Sequence, residues 1–201
     1  MKIDLPFASG LDVTRSSWSA ARSFLLIFTS SHFLISTFAQ DSLNMSLIGR
    51  WHVDTLPATW QYGNIYNATW GYARDGREYG IIGSIPGTHI IDVTDAPSLV
   101  EVAFIPGAWQ GNDVVHREFK TYQDRLYGVT DEGQGTLQII DLRWLPDSAP
   151  VLYDSHALLY RAHTLWIDTT NARLYTWAGS SQAAVYDLTD PDQPVLMNDC
   201  E

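Results

Sequence analysis

The sequence has a single cysteine, few charged residues and little extended hydrophobic sequence. Cys200 is the only cysteine among the 201 residues, which excludes an internal disulfide and a zinc motif built on paired cysteines. Charged residues make up 17% of the chain and hydrophobic residues 45%, so the chain can bury enough apolar surface to fold. The net charge of −11 disfavours nucleic acids and anionic membrane surfaces as partners.

The one long apolar stretch lies near the amino terminus. Residues 23–39 are mainly apolar, follow two arginines and end in the small residue Ala39. These are the parts of a secretory signal, so we predict a cleaved signal peptide over residues 1–39. A membrane anchor is the competing interpretation, but polar residues at 29–32 leave fewer than the roughly 20 apolar residues that a span needs. We therefore expect an exported protein with no transmembrane span in the mature chain.

The rest of the chain repeats itself with a period of about 48 residues. Tyr79, Tyr127 and Tyr175 are spaced by 48 residues each time, and similar residues surround each of them. Each copy divides into four short β-branched and aromatic segments separated by turn signals, such as Asp75-Gly76 in the first copy. Four strands every 40–50 residues are typical of β-propeller blades, and the three tyrosines are predicted to lie in the core between blades.

We therefore predict an all-β chain, a β-propeller segment of about three four-stranded blades in an incomplete ring. The predicted blades are residues 65–110, 111–160 and 161–201. Residues 40–64 are predicted to be an outer, closing strand and a linker, because their sequence is similar to the fourth strand of the first copy. The blade that this strand would complete is missing, so the chain is expected to be a piece of a longer protein that supplies the remaining blades as partners.

Several of these motifs resemble a known family. Residues 83–97, 137–142 and 162–168 resemble LVIVD-repeat proteins, and more closely the secreted bacterial proteins of the choice-of-anchor B family. The resemblance extends from about residue 44 to residue 196. It implies a β-propeller and a secreted or cell-surface location in bacteria, and it implies no particular biochemical activity.

Residues that precede the first strand of each copy are expected to converge at one mouth of the propeller channel. Polar and ionisable side chains gathered there are typical of a ligand site. The predicted ligand-binding residues are Asn67, Trp70, Arg117, Glu118 and His163. At the same channel mouth, His116, Glu118 and His163 are predicted to form a ligand set for a divalent metal such as zinc, the only class of cofactor that the sequence suggests.

Structural roles compete with these functional ones. An Arg-Glu pair beside a histidine is often a structural ion pair, and His52, His89 and His156 have no partner in register. The aspartates at the junction of the third and fourth strands, Asp92, Asp141 and Asp187 among them, could hold calcium, but turns explain each of them locally.

No nucleophile elbow, phosphate loop or metalloprotease motif occurs in the chain. We therefore expect a non-enzymatic binding or interaction module for a protein, a glycan or a small ligand. The alternatives are a propeller enzyme with a metal-assisted hydrolytic site at the channel mouth, and an inactive fragment of a longer protein.

Overall fold

The computed structural model describes residues 45–178 and 182–200, and all regular secondary structure in that part of the chain is β-strand. The predicted signal peptide over residues 1–39 lies outside the described residues. None of the described residues belongs to a helix long and apolar enough to cross a membrane.

Twelve strands are present in the described residues. In chain order they are β1 (Tyr66–Arg74), β2 (Arg77–Ser84), β3 (Gly87–Asp92), β4 (Val100–Pro106), β5 (Arg117–Tyr122), β6 (Arg125–Thr130), β7 (Leu137–Asp141), β8 (Val151–Ser155), β9 (Thr164–Asp168), β10 (Arg173–Ala178), β11 (Gln182–Asp187) and β12 (Val195–Cys200).

The strands form three antiparallel sheets of four consecutive strands each. The first sheet is β1–β4, the second is β5–β8 and the third is β9–β12, and in each sheet every strand pairs with its neighbours along the chain. No sheet of the described residues closes on itself. Strand β5 contacts both β1 and β9, so the first strands of successive sheets are neighbours. The all-β prediction is confirmed, and this arrangement fits part of a β-propeller.

The hairpin between the first two strands of a sheet depends on residues with positive φ. Asp75 and Gly76, the predicted turn, have φ angles of 51° and 78°. The corresponding turn of the second sheet uses Gln123 and Asp124, with φ angles of 45° and 60°. Two successive positive φ angles match the right-handed twist of the flanking strands, which is why such turns join short antiparallel strands.

An aspartate ends the third strand of each sheet and forms the turn that follows. The Oδ1 atoms of Asp92, Asp141 and Asp187 accept hydrogen bonds from the backbone N–H two residues later, at 3.0, 2.9 and 2.7 Å. These are Asx turns, so the local explanation of the aspartates is confirmed. The side-chain bonds from Arg143, with its backbone N–H, lower the pKa of buried Asp141 to about 2.

Two apolar cores lie between the sheets. Tyr79, Ile81 and Ile90 of the first sheet pack with residues such as Phe119 and Leu126 of the second. Another core joins the second and third sheets; its members are Tyr127, Val129, Leu137, Ile139, Ala162, Leu165, Ile167, Leu174, Tyr186 and Leu188.

The prediction that the repeated tyrosines are buried is correct for two of the three. Tyr79 is 3% exposed and Tyr127 is fully buried, because a following sheet covers each of them. Tyr175 is 41% exposed, and that part of the prediction is wrong. Among the described residues no sheet packs against the face of the third sheet that carries it.

The segment before β1 contains no strand among residues 45–65. Trp51 lies 5.7 Å from Tyr66 and 5.0 Å from His89, measured between ring centroids, and the Tyr66 hydroxyl accepts a hydrogen bond from Val53 N. A strand forms only when a neighbouring edge accepts its backbone hydrogen bonds. The closing strand predicted within residues 40–64 would pair with a sheet beyond these three, so that pairing stays a prediction.

Candidate metal centre

Two histidines that precede the first strands of neighbouring sheets come together at one edge of the structure. His116 stands directly before β5, and His163 directly before β9. The last residue of β6, Thr130, pairs with the first residue of β5 and also accepts a hydrogen bond from Ala162 N at 3.2 Å. The segment that leads into the third sheet is therefore attached to the end of β6, which brings His163 close to His116.

Each histidine has its own carboxylate, supplied by the residues that follow β6. His116 Nδ1 lies 2.8 Å from Glu132 Oε1, and His163 Nδ1 lies 2.8 Å from Asp131 Oδ2. The two imidazole rings are 4.7 Å apart, and both side chains are about half exposed, at 48% and 50%. Since an ionised carboxylate only accepts hydrogen bonds, each pairing favours a proton on Nδ1 and leaves Nε2 as the basic nitrogen.

Donor atoms of His116, Asp131 and His163 all lie within 4.8 Å of one another. Ligands around a tetrahedral zinc ion with bonds near 2.0–2.1 Å are about 3.3 Å apart, so the set must close on metal binding, and Asp131 would exchange its hydrogen bond with His163 Nδ1 for a bond to the ion. Two imidazoles and a carboxylate suit zinc and similar divalent ions, and a three-residue set leaves a coordination position open. Glu132 bonds to His116 N as well as to its ring, so it orients this ligand.

The structure brings together two of the three predicted metal ligands. His116 and His163 are neighbours, but the Glu118 carboxylate forms an ion pair with Lys120, two residues later on β5. The carboxylates beside the histidines belong instead to Asp131 and Glu132, which the sequence prediction missed. The available signal was the antiparallel pairing of β5 with β6, since a residue that follows β6 must lie beside one that precedes β5.

Trp70 lies in the contact between β1 and β5. Its indole N–H donates to Thr121 Oγ1 at 3.0 Å, and Lys120 Nζ lies 4.4 Å from the ring centroid. Lys120 therefore connects Trp70 of the first sheet with Glu118 of the second through a cation–π contact and an ion pair. Both predicted ligand-binding side chains have structural partners here.

Arg117 is buried and holds the first two sheets together. Its guanidinium donates to the carbonyl oxygens of Ser84, Ile85 and Trp109 at 2.8, 2.9 and 2.9 Å. Burial lowers the pKa of the guanidinium from 12.5 to about 10, and the charge of Glu132 partly opposes that shift. These three hydrogen bonds occupy the Nε and Nη2 donors that would otherwise bind a carboxylate ligand. Arg117 therefore acts as a structural cross-link.

Asn67 lies at an irregular point of the pairing between β1 and β2. Its amide Oδ1 and Nδ2 atoms are buried, and neither has a hydrogen-bond partner within the described residues. Gly83 lies opposite, and a side chain there would collide with the Asn67 amide. Asn67 is not part of the group formed by His116, Asp131 and His163, and buried amides of this kind are usually satisfied by water.

Three side chains of the first sheet stand in the order serine, histidine, carboxylate. Ser84 Oγ is 2.7 Å from His89 Nε2, and His89 Nδ1 is 3.0 Å from Glu101 Oε1. Ser84 is fully buried and His89 is 3% exposed, so no substrate reaches the hydroxyl. The set is an internal hydrogen-bond chain, and His89 does have partners, contrary to expectation.

His52 and His156, the other two histidines that were expected to lack partners, have partners as well. His52 lies 3.1 Å from both the Tyr66 hydroxyl and Asp54, and His156 lies 3.3 Å from the Gln134 carbonyl oxygen. Neither belongs to a group of three or more possible metal ligands in the described residues.

No protein-family model matches the chain, and no curated protein matches it either. The resemblance to LVIVD-repeat proteins therefore stays a prediction.

Proposed function

We propose that this chain is part of an exported β-propeller that serves as a binding module and holds a divalent metal ion. Its metal centre consists of His116, Asp131 and His163, oriented by Glu132. The packing of three similar four-stranded sheets side by side supports the propeller, and the signal-like residues 1–39 support export.

The observation that carries the metal proposal is the convergence of three donor atoms from two neighbouring sheets. Two half-exposed imidazoles 4.7 Å apart can both coordinate one cation, since a metal binds the neutral form of each ring. The open coordination position then accepts a donor from the ligand, such as a carboxylate of a protein or glycan. The proposed binding function requires only this coordination of a ligand donor by the metal ion.

The same open position favours one second function, metal-assisted hydrolysis. A metal ion in a three-ligand site lowers the pKa of its bound water and makes it a nucleophile near neutral pH. A zinc-loaded protein that turns over model esters, and loses turnover when His163 is replaced, would favour the enzyme over the binding module.

Metal binding is tested by calorimetric titration of the full chain with zinc. We expect one site per chain, and His116→Ala and His163→Ala should each raise the Kd by about 10-fold or more. His156→Ala is the matched control, an exposed histidine outside the cluster, and should leave the Kd unchanged. Glu118→Gln should also leave it unchanged. Absence of binding, or equal binding by the cluster variants and the control, would contradict the metal centre.

Export is tested independently by expressing the full coding sequence in a secreting bacterial host. We expect the mature protein outside the cytoplasm, with Gln40 as its amino-terminal residue. An uncleaved chain retained in the cytoplasm would exclude export without affecting the metal centre.

A further inference from the structure

The two carboxylates of the candidate metal centre lie on a connection that is longer than its counterpart in the first sheet. Asp131 and Glu132 begin the connection between β6 and β7, residues 131–136, whereas only residues 85–86 join β2 to β3. Backbone outside a strand lacks the hydrogen-bond ladder that fixes a strand, so the side chains that it carries need other support. We call residues 131–136 the carboxylate loop, and the position of both carboxylates depends on what holds it.

The beginning of the carboxylate loop is fixed by the backbone of His116. The Thr130 hydroxyl donates to the His116 carbonyl oxygen at 2.8 Å, and Asp131 N donates to the same oxygen at 3.4 Å. The Glu132 carboxylate in turn accepts a hydrogen bond from His116 N at 3.0 Å. These bonds hold the end of β6 and the first two residues of the loop, and the middle of the loop has a different support.

The middle of the carboxylate loop packs against the indole ring of Trp109. Gly133 has a φ angle of 62°, and a Cβ atom at this position would collide with Nε1, Cε2 and Cδ1 of the indole. Glycine is therefore required here for two independent reasons, the left-handed backbone conformation and the close approach of the ring. The ring lies directly on the loop backbone, two residues after Asp131.

Trp109 is itself held in place by two hydrogen bonds. Its indole N–H donates to Asp113 Oδ1 at 2.9 Å, and its carbonyl oxygen accepts from Arg117 Nη2 at 2.9 Å. Trp109 and Asp113 belong to the connection between β4 and β5, whose last residue is His116. One connection thus supplies a histidine of the metal centre and also the side chain that supports the loop carrying the carboxylates.

We propose that Trp109 is a positioning residue of the metal centre. Its indole packs on Gly133 and holds the carboxylate loop, and the loop places the Asp131 carboxylate beside the two histidine ligands. Without the indole the loop would gain conformations that the metal ion must then order, and that cost lowers the affinity. The inference rests on the proposed metal centre and adds the residue that fixes its carboxylate ligand.

Calorimetric titration of the full chain with zinc tests this role. Trp109→Ala should raise the Kd about 10-fold, as the loss of an outer contact of a metal site does. Trp109→Phe keeps a flat ring over Gly133 and should recover most of that loss. Trp144→Ala is the matched control, because the Trp144 indole also donates to an aspartate, Asp141, at 3.2 Å, but lies in the connection between β7 and β8. Its Kd should equal that of the wild type.

Gly133→Ala perturbs the same contact from the side of the loop. The added methyl group would displace the indole, so the Kd should again rise about 10-fold. Gly76→Ala is the control for backbone strain, since Gly76 has a φ angle of 78° but a Cβ atom there would have no neighbour within 4 Å. This control should bind zinc as the wild type does, although the strain destabilises its turn.

A double-mutant cycle separates positioning from a general effect on stability. If Trp109 acts through Asp131, Trp109→Ala should change the Kd by less than about 3-fold in a chain that already carries Asp131→Asn. A loss of the same size in both backgrounds would overturn the positioning role. Circular dichroism checks that each variant keeps native β-structure. If Trp109→Ala does not, the comparison of Gly133→Ala with Gly76→Ala decides.

The titrations also distinguish this role from the metal centre itself. A wild-type chain that binds no zinc would contradict the metal centre, and the positioning role with it. A wild-type chain that binds zinc, with an unchanged Kd for both Trp109→Ala and Gly133→Ala, would overturn the positioning role alone.

Discussion

Replacement of Arg117 by methionine should destabilise the fold strongly, although the residue was predicted to bind a ligand. The variant keeps an unbranched apolar stem and removes three hydrogen bonds to backbone carbonyls, those of Ser84, Ile85 and Trp109. Each bond from a charged donor contributes about 1.5–3 kcal/mol. Burying the charged guanidinium offsets part of this sum. The drop in its pKa from 12.5 to about 10 corresponds to a cost of about 3 kcal/mol.

The expected loss of unfolding free energy is therefore about 3 kcal/mol. Arg117→Lys keeps the charge without the planar arrangement of donors, so its stability should lie between those of the wild type and Arg117→Met. Urea denaturation followed by tryptophan fluorescence measures both, and the exposed Arg161→Met is the control, with an expected change within about 0.5 kcal/mol. A loss below about 1 kcal/mol for Arg117→Met would refute the assignment of Arg117 as a structural cross-link.

Two further predictions concern buried polar groups. The pKa of Asp141 is lowered from 3.8 to about 2 by Arg143, so its stabilisation is complete above about pH 4 and is lost as the pH falls through about 2. Asp141→Asn should reduce the unfolding free energy by about 2 kcal/mol at pH 6, with a shrinking difference in urea titrations toward pH 2; a constant difference would contradict this. Tyr127→Phe removes a 2.6 Å hydrogen bond to the Pro191 carbonyl and should reduce stability by about 1 kcal/mol, whereas Tyr62→Phe, at a 74% exposed side chain, should not; equal thermal melts would contradict it.

Local chemistry in the sequence was sufficient to predict the strands and their turns. Asp75-Gly76 forms the predicted hairpin turn because glycine and aspartate adopt positive φ at little cost. The aspartate that ends each third strand forms its turn with the N–H two residues later, as a purely local rule requires. The repeat of 48 residues likewise indicated three similar units, since regular alternation and turn spacing are properties of the chain alone.

The partners of the polar side chains depended on tertiary packing. His116 and His163 are 47 positions apart, and their repeat register correctly suggested a shared edge. Which carboxylate joins them was decided by the pairing of β5 with β6, which places Asp131 there and directs Glu118 to Lys120. Such choices follow from strand register, and register is set by which neighbouring sheet covers each face.

The sequence also could not predict which of two equivalent residues is buried and which is exposed. Tyr127 and Tyr175 occupy the same position of the repeat and have the same local preferences, yet one is fully buried and the other is 41% exposed. Among the described residues, a following sheet covers Tyr127 and none covers Tyr175, which is a property of the tertiary structure. The sequence alone determined that each unit folds as a four-stranded sheet, because backbone preferences act over a few residues. The tertiary structure alone decided which faces of the described sheets are buried as cores and which are exposed, because burial requires a partner surface.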